Sequence, residues 1–316
     1  MTALIGHEEA RRAWRSAMAS DRMHHAWLLS GRQGLGKAAF ARDAARALVG
    51  AGETQSVENH PDILTLSRGP SSKEDEKKQA DGKPFNLARN IKVDQVRAMQ
   101  RRLTTRPTLS DCRAIIIDSA DDLEKSAVNA LLKSLEEPPR GTIFFLVSHR
   151  AGGLLPTVRS RCRTLRFAVL ADKEVEQVLA EQRPEASEDE RRAAAAAAQG
   201  SPGRAIAYLD EKLAPLAEAL RAMVAGESGT SHSLSSALGT RPDKEKLQSA
   251  IQIARSLCAD RLAVADRKER ARLVATHGQL VRMGSMLPVA NFDPALVAVE
   301  IGGLLARAAI PKHPDR

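Results

Sequence analysis

Cysteine is scarce: Cys112, Cys162 and Cys258 are the three in 316 residues, and they lie far apart. That spacing excludes a disulfide framework and a zinc knuckle, and it fits a reducing cytoplasm. No apolar run reaches the length of a membrane span, and no signal peptide is expected at the start. The expectation is a cytoplasmic protein without membrane contact. Aromatics are few, with six Phe, two Trp and one Tyr. Ala, Leu and Arg dominate instead, which favours helix. Acidic charge falls short of basic: 39 Asp plus Glu against 48 Lys plus Arg leave a net charge of +9. That balance permits a polyanion partner without demanding one. The length suits two or three domains with ample core.

What is present centres on Gly31-Arg32-Gln33-Gly34-Leu35-Gly36-Lys37-Ala38. This stretch follows the apolar run Ala26-Trp27-Leu28-Leu29 and precedes a helix-prone one from Ala38 to Val49. Strand, glycine-rich loop, lysine and helix make the P-loop pattern. Gly31, Gly34 and Gly36 let backbone N–H groups close round a phosphate, and the helix N-terminus turns its positive end there. Lys37 is placed to reach the terminal phosphates. The residue after the lysine should be Ser or Thr, whose hydroxyl holds Mg²⁺. Here it is Ala38.

A second gap lies downstream. Arg113-Ala114-Ile115-Ile116-Ile117-Asp118 is an apolar run ending in a carboxylate, the Walker B pattern. A glutamate that orients the attacking water usually follows; this chain has Ser119, which is no base at neutral pH. With both parts missing, ATP hydrolysis is not expected. Nucleotide binding without turnover and a loop that binds nothing both stay open, and no cofactor is required.

The rest of the pattern organises the chain. Ala10, Trp14 and Met18 mark one face of an N-terminal helix, and His24-His25, without partner ligands nearby, read as local packing. A short strand is predicted over 62–66 and a helix from Val93 to Leu103. A helix over 124–137 stops at Pro138-Pro139, and Ile143 to Val147 is a buried strand ending at Ser148. Thr164 to Phe167 gives the last strand. Residues 68–90 and the Gly/Ser-rich 226–236 read as a solvated loop and a linker. Strands alternating with helices predict a doubly wound α/β domain over 1–167. Beyond it the pattern is all-helical: small helices over 170–208, then longer ones near 211–225, 243–264, 267–286 and 293–308. Arg161, on a short helix beside the last strand, has two readings. One is an arginine presented to a neighbouring subunit's nucleotide; the other is a surface residue in a turn shared with Arg159, Arg163 and Arg166.

Several motifs together carry a resemblance. They are the glycine-rich loop, His60-Pro61-Asp62, the strand to Asp118, and Asn129-Ala130-Leu131-Leu132-Lys133-Ser134-Leu135-Glu136-Glu137-Pro138-Pro139. The last is Leu155-Pro156-Thr157-Val158-Arg159-Ser160-Arg161-Cys162. In this order they resemble the bacterial clamp-loader subunits of DNA polymerase III, clearly over 1–210 and by helical content alone beyond. The degenerate nucleotide site and the His60-Pro61-Asp62 segment resemble the non-hydrolysing members of that family rather than its ATPase subunit, called gamma or tau.

The resemblance implies an AAA+ P-loop domain over 1–167, a small helical lid over 168–209 and an all-α collar that joins subunits over 210–316. It implies a rigid stator in a hetero-pentameric ring with gamma/tau and delta subunits, a ring that opens a sliding clamp and places it on primed DNA. Carried to this sequence, Arg161 is the finger acting in trans, Gly31 to Ala38 with Asp118 a vestigial nucleotide site, Ser148 the sensor-1 position and Arg204 the sensor-2 arginine. Many family members carry a four-cysteine zinc module before the His-Pro-Asp segment. Residues 41–60 contain no cysteine, so no zinc is expected. Two other readings remain: an active gamma/tau-like ATPase that tolerates Ala38 and Ser119, and a free-standing DNA-binding protein, which would bind DNA with steep salt dependence.

Overall fold

Five strands form one sheet. In this computed structural model β1 is Ala26–Ser30, β2 Ile63–Leu66, β3 Arg113–Asp118, β4 Thr142–Ser148 and β5 Arg163–Arg166. All pairings are parallel, in the order β2-β3-β4-β1-β5. The structure describes residues 4–20, 23–52, 57–227, 230–239, 242–287 and 292–309. Two compact units divide the chain, Met1–Leu170 and Ala171–Arg316.

In the first unit the helices are α1 Glu8–Met18, α2 Lys37–Val49, α3 Lys73–Ala80, α4 Val93–Leu103, α5 Lys125–Glu136 and α6 Pro156–Arg159. Both faces of the sheet are covered, as a parallel sheet requires. Ile116 and Phe145 point to one side, where Trp14 of α1 and Phe40 of α2 close the core. Ile115, Ile117 and Phe144 point to the other, against Val96 of α4 and Leu131 of α5. Trp14 meets Trp27 edge-on at 5.3 Å and Phe145 at 5.2 Å between ring centroids. Burying one such side chain contributes roughly 1.5–3 kcal/mol. This packing sets the rotation of α1 so that Ala17 faces the core and Met18 is exposed, correcting the expected Ala10-Trp14-Met18 face. His24 and His25 pack locally: their rings stack at 4.6 Å, and His25 Nε2 lies 2.9 Å from the Leu135 carbonyl.

Residues 68–90 are ordered by contacts, not left as a loop. Ser72 caps α3 by accepting the Asp75 amide at 3.1 Å. The buried Asp75 carboxylate accepts the hydroxyls of Ser71 and Ser72 and the Asn86 amide. The ends of the insertion pair antiparallel at Pro70 and Leu87.

The second unit has no strand among the described residues. Its helices are α7 Asp172–Gln182, α8 Glu188–Ala198, α9 Pro202–Asp210, α10 Ala214–Val224, α11 Thr230–Leu238, α12 Lys244–Leu262, α13 Arg267–Met286 and α14 Pro294–Ala308. Ser187, Asp243, Asp266 and Asp293 each cap the helix that follows through a side-chain oxygen. The linker expected over 226–236 is a helix in its second half. Leu234 and Leu238, four residues apart, are buried on one side of α11, which packs on α10 and α14. Residues 228 and 229 of that linker lie outside the described residues.

Candidate functional site

Parallel α/β sheets bind ligands at the carboxyl ends of their strands, where the connections diverge. Here Ser30 of β1 stands level with Ser148 of β4, and Asp118 of β3 with Val147. The glycine-rich loop leaves β1 at this edge and enters α2 at Lys37. Gly34 and Gly36 adopt φ of +80° and +79°, a region in which a side chain is strained. Gly31 packs so closely on the Phe167 carbonyl that no Cβ would fit, and its amide donates to the Ser148 carbonyl at 3.3 Å.

Lys37 is buried, and its ammonium turns back on the loop, donating to the Gly31 carbonyl at 2.7 Å and to the Arg32 carbonyl. Burial lowers its pKa to about 8, against the opposing pull of the Asp121 and Asp118 carboxylates. Ala38, the next residue, offers a half-buried methyl at the start of α2.

Asp118 closes β3 and is half-buried. Ser119 is buried, and its hydroxyl has no hydrogen-bond partner among the described residues. Asp121 does the organising. Its carboxylate accepts the Ser148 hydroxyl at 3.0 Å, the His149 amide at 2.6 Å and the Arg150 amide at 3.2 Å. That fixes the end of β4 and commits the Ser148 side chain to Asp121. His149 lies beside this group; burial and then the Lys37 charge lower its pKa, and the surrounding carboxylates oppose them. Among the described residues no three His, Cys, Asp or Glu side chains are grouped to hold a metal ion. Of the two side chains that hold Mg²⁺ in a P-loop site, Asp118 offers its carboxylate, whereas Ala38 offers no hydroxyl.

Arg161 follows α6, at the turn into β5. Its Nη2 lies 2.7 Å from Glu136 Oε1, and its Nη1 donates to the Thr157 carbonyl at 2.9 Å. The pair is partly exposed, 34% for the arginine and 48% for the glutamate. Nearby, Arg163 stacks over the Trp27 ring with its guanidinium carbon 5.2 Å from the centroid. The Cys162 thiol is pushed up to about 12 by burial.

Lys37, Asp118 and Ser148 thus meet at one edge of the first unit, and Arg161 sits at its own turn in the same unit. Arg204 belongs to α9 of the second unit, half-buried beside a pocket lined by Ala198, Tyr208 and Gln252. Two residues emerge from the geometry that the motifs did not assign. Asp121 had no local signal beyond its place after Asp118, whereas Glu136 lay inside the quoted Asn129–Pro139 stretch without a role.

The family profile described as "DNA polymerase III, delta subunit" matches residues 6–171. DNA polymerase III subunit delta' of Bacillus subtilis is 32% identical over 179 residues, 53% of this chain and 49% of that protein. The Pseudomonas aeruginosa subunit delta' is 32% identical over 151 residues, 44% of this chain and 41% of that protein. The gamma subunit of Buchnera aphidicola subsp. Schizaphis graminum is 30% identical over 173 residues, 54% of this chain and 46% of that protein. The matches span about half the length of these relatives or less. A solved gamma subunit-related protein from Thermotoga maritima has a TM-score of 0.50 at 18% identity, covering 95% of this chain and 99% of that one. That likeness speaks to the fold: an α/β unit built on a parallel sheet, followed by an all-helical region. Matched across more than half its length by that profile, the chain belongs to the DNA polymerase III delta subunit family, and so to the clamp-loader subunits of that polymerase.

Proposed function

We propose that this chain is the delta prime subunit of the clamp loader: a member that does not hydrolyse ATP and lends Arg161 to the ATP site of a neighbouring gamma/tau subunit. The observation that carries this reading is the chemistry around Lys37. Its ammonium is satisfied by its own loop, Ala38 stands where a metal-binding hydroxyl is needed, and Ser119 stands where a base is needed. Arg161, by contrast, lies in an intact Ser-Arg-Cys turn with its guanidinium half-exposed. An arginine supplied in trans offsets charge developing on the transferred γ-phosphoryl group, an effect of about 10³–10⁵ in rate.

On this reading 168–209 is the lid, carrying Arg204, and 210–316 is the collar, which joins gamma/tau and delta subunits in a five-membered ring. The ring, not this chain alone, opens the sliding clamp and loads it on primed DNA in the cytoplasm. ATP is not required at the chain's own loop, and no zinc is held.

The relatives named gamma, at 30% identity, favour a second reading, an active ATPase subunit. ATP turnover separates the two. The purified chain should show none. Mixed with the organism's gamma/tau and delta subunits it should support turnover that falls on Arg161→Ala. Clear turnover by the chain alone would overturn the proposal in favour of the second reading.

A further inference from the structure

We infer that Glu136 is a positioning residue: it holds the Arg161 guanidinium in the direction from which it reaches the neighbouring subunit's nucleotide. The inference rests on Arg161 being the arginine acting in trans. Glu136 is the last residue of α5, and Pro138-Pro139 follow after the C-cap Glu137, so its backbone is fixed by the helix end. α5 packs on α6, which brings Glu136 to the turn after α6. There Glu136 Oε1 lies 2.7 Å from Arg161 Nη2, while the Thr157 carbonyl takes Nη1 at 2.9 Å. The two acceptors come from different helices and grip two nitrogens of one planar group.

A guanidinium has five N–H donors, so two such bonds leave three for an incoming phosphate. The group cannot be deprotonated in a protein, so the carboxylate does not remove its charge. A partly exposed pair of this kind contributes little to fold stability. Its effect is on direction. A free arginine spreads over many rotamers, and each must be given up when the group meets a phosphate. Arg161 has spent that entropy before the partner arrives, which is the advantage of a preorganised charge. Nothing else on the turn holds the guanidinium head comparably: its approach to Ser160 Oγ is 3.4 Å, a weak bond.

The test is steady-state ATP turnover by the assembled loader, made with this full chain and the organism's other subunits. Glu136→Ala should lower kcat several-fold, in the same direction as Arg161→Ala, with KM for ATP unchanged. Glu136→Gln keeps an acceptor oxygen at the same reach and should retain most of the rate. The double variant should be no slower than Arg161→Ala alone, because Glu136 acts through Arg161. A Glu136→Ala loader at the wild-type rate, beside a slowed Arg161→Ala loader, overturns the inference and leaves the finger in place. Further slowing of Arg161→Ala by Glu136→Ala, or a Gln variant as slow as Ala, also overturns it. An Arg161→Ala loader at the wild-type rate overturns the finger and the inference together. Thermal melting of each purified variant checks folding, and a shared Tm is expected.

Discussion

The Asp62 carboxylate accepts the Thr108 amide at 2.6 Å, across 46 residues of chain. The same carboxylate takes the amides of Leu109 and Ser110 and the Ser110 hydroxyl. Arg113, also buried, lies 3.8 Å away and binds the carbonyls of Arg102, Thr105 and Arg106. The His-Pro-Asp segment is therefore a staple: it ties the turn between α4 and β3 to the start of β2.

Asp62→Ala would leave three amide donors without their acceptor and take the opposite charge from beside the buried Arg113 guanidinium. Loss of such a partner costs about 3 kcal/mol or more, read as a lower urea midpoint for the first unit. Asp62 also sets an acid limb. Burial pushes its carboxyl pKa up, but the three amides and the Ser110 hydroxyl outweigh that and hold it below the usual range. The unfolded state then binds the proton more readily, so stability rises with pH. The contribution is full above the unfolded pKa, about 3.9, and is lost as pH falls through the lowered folded value. Asp62→Asn should flatten that limb; an unchanged acid transition would count against the staple.

The 68–90 insertion should be separable from the unit that bears it. Its ends already touch, with the Ala88 amide donating to the Gly69 carbonyl at 2.7 Å. Replacing 70–87 by a two-glycine turn should give a folded protein whose Tm moves by a few degrees. Collapse of the sheet on excision would mean that the insertion contributes to the core.

Local pattern carried the frame of the molecule further than its contacts. Ile115 to Ile117 and Phe144 to Leu146 are unbroken apolar runs because both faces of each strand are covered, so they read directly as strands. Lys37 and Asp118 were legible because each motif is contiguous. Met18 was misplaced because it is four residues from Trp14 while Ala17 is three, both spacings that suit one helix face, and Trp14 packing decided between them. α3 was hidden because its charges say nothing of order, and what fixes it is Asp75 meeting the Asn86 amide eleven residues on. α11 was masked by serines, although the Leu234–Leu238 spacing was there to read. The Asp121–Ser148 and Glu136–Arg161 contacts join separate segments, and no local pattern records them.

Lys37 should leave a mark at alkaline pH. Its folded pKa, about 8, lies below the unbound 10.5. Between those values the unfolded chain holds a proton that the folded chain has lost, so stability rises with pH through that window. The penalty for burying the charged form is full below pH 8. Lys37→Met should remove the rise between about pH 8 and 10 in the urea midpoint. A variant with the wild-type slope would place the titration elsewhere.

Arg161→Lys asks whether charge alone suffices. A lysine keeps the charge but presents one compact ammonium on a flexible stem, and it cannot grip Glu136, Thr157 and a phosphate in one plane. If the planar group matters, Arg161→Lys in the assembled loader should turn over ATP nearly as slowly as Arg161→Ala. On the proposed role in trans, the loss at the neighbouring subunit's site should be about 10³ or more, so the loader forfeits that site's whole contribution. ATP binding by the loader, measured separately by filter retention or fluorescence, should be unchanged in both variants. A lysine variant with near wild-type turnover would reduce the role to simple charge, and the hold of Glu136 on the guanidinium would then have no bearing on rate.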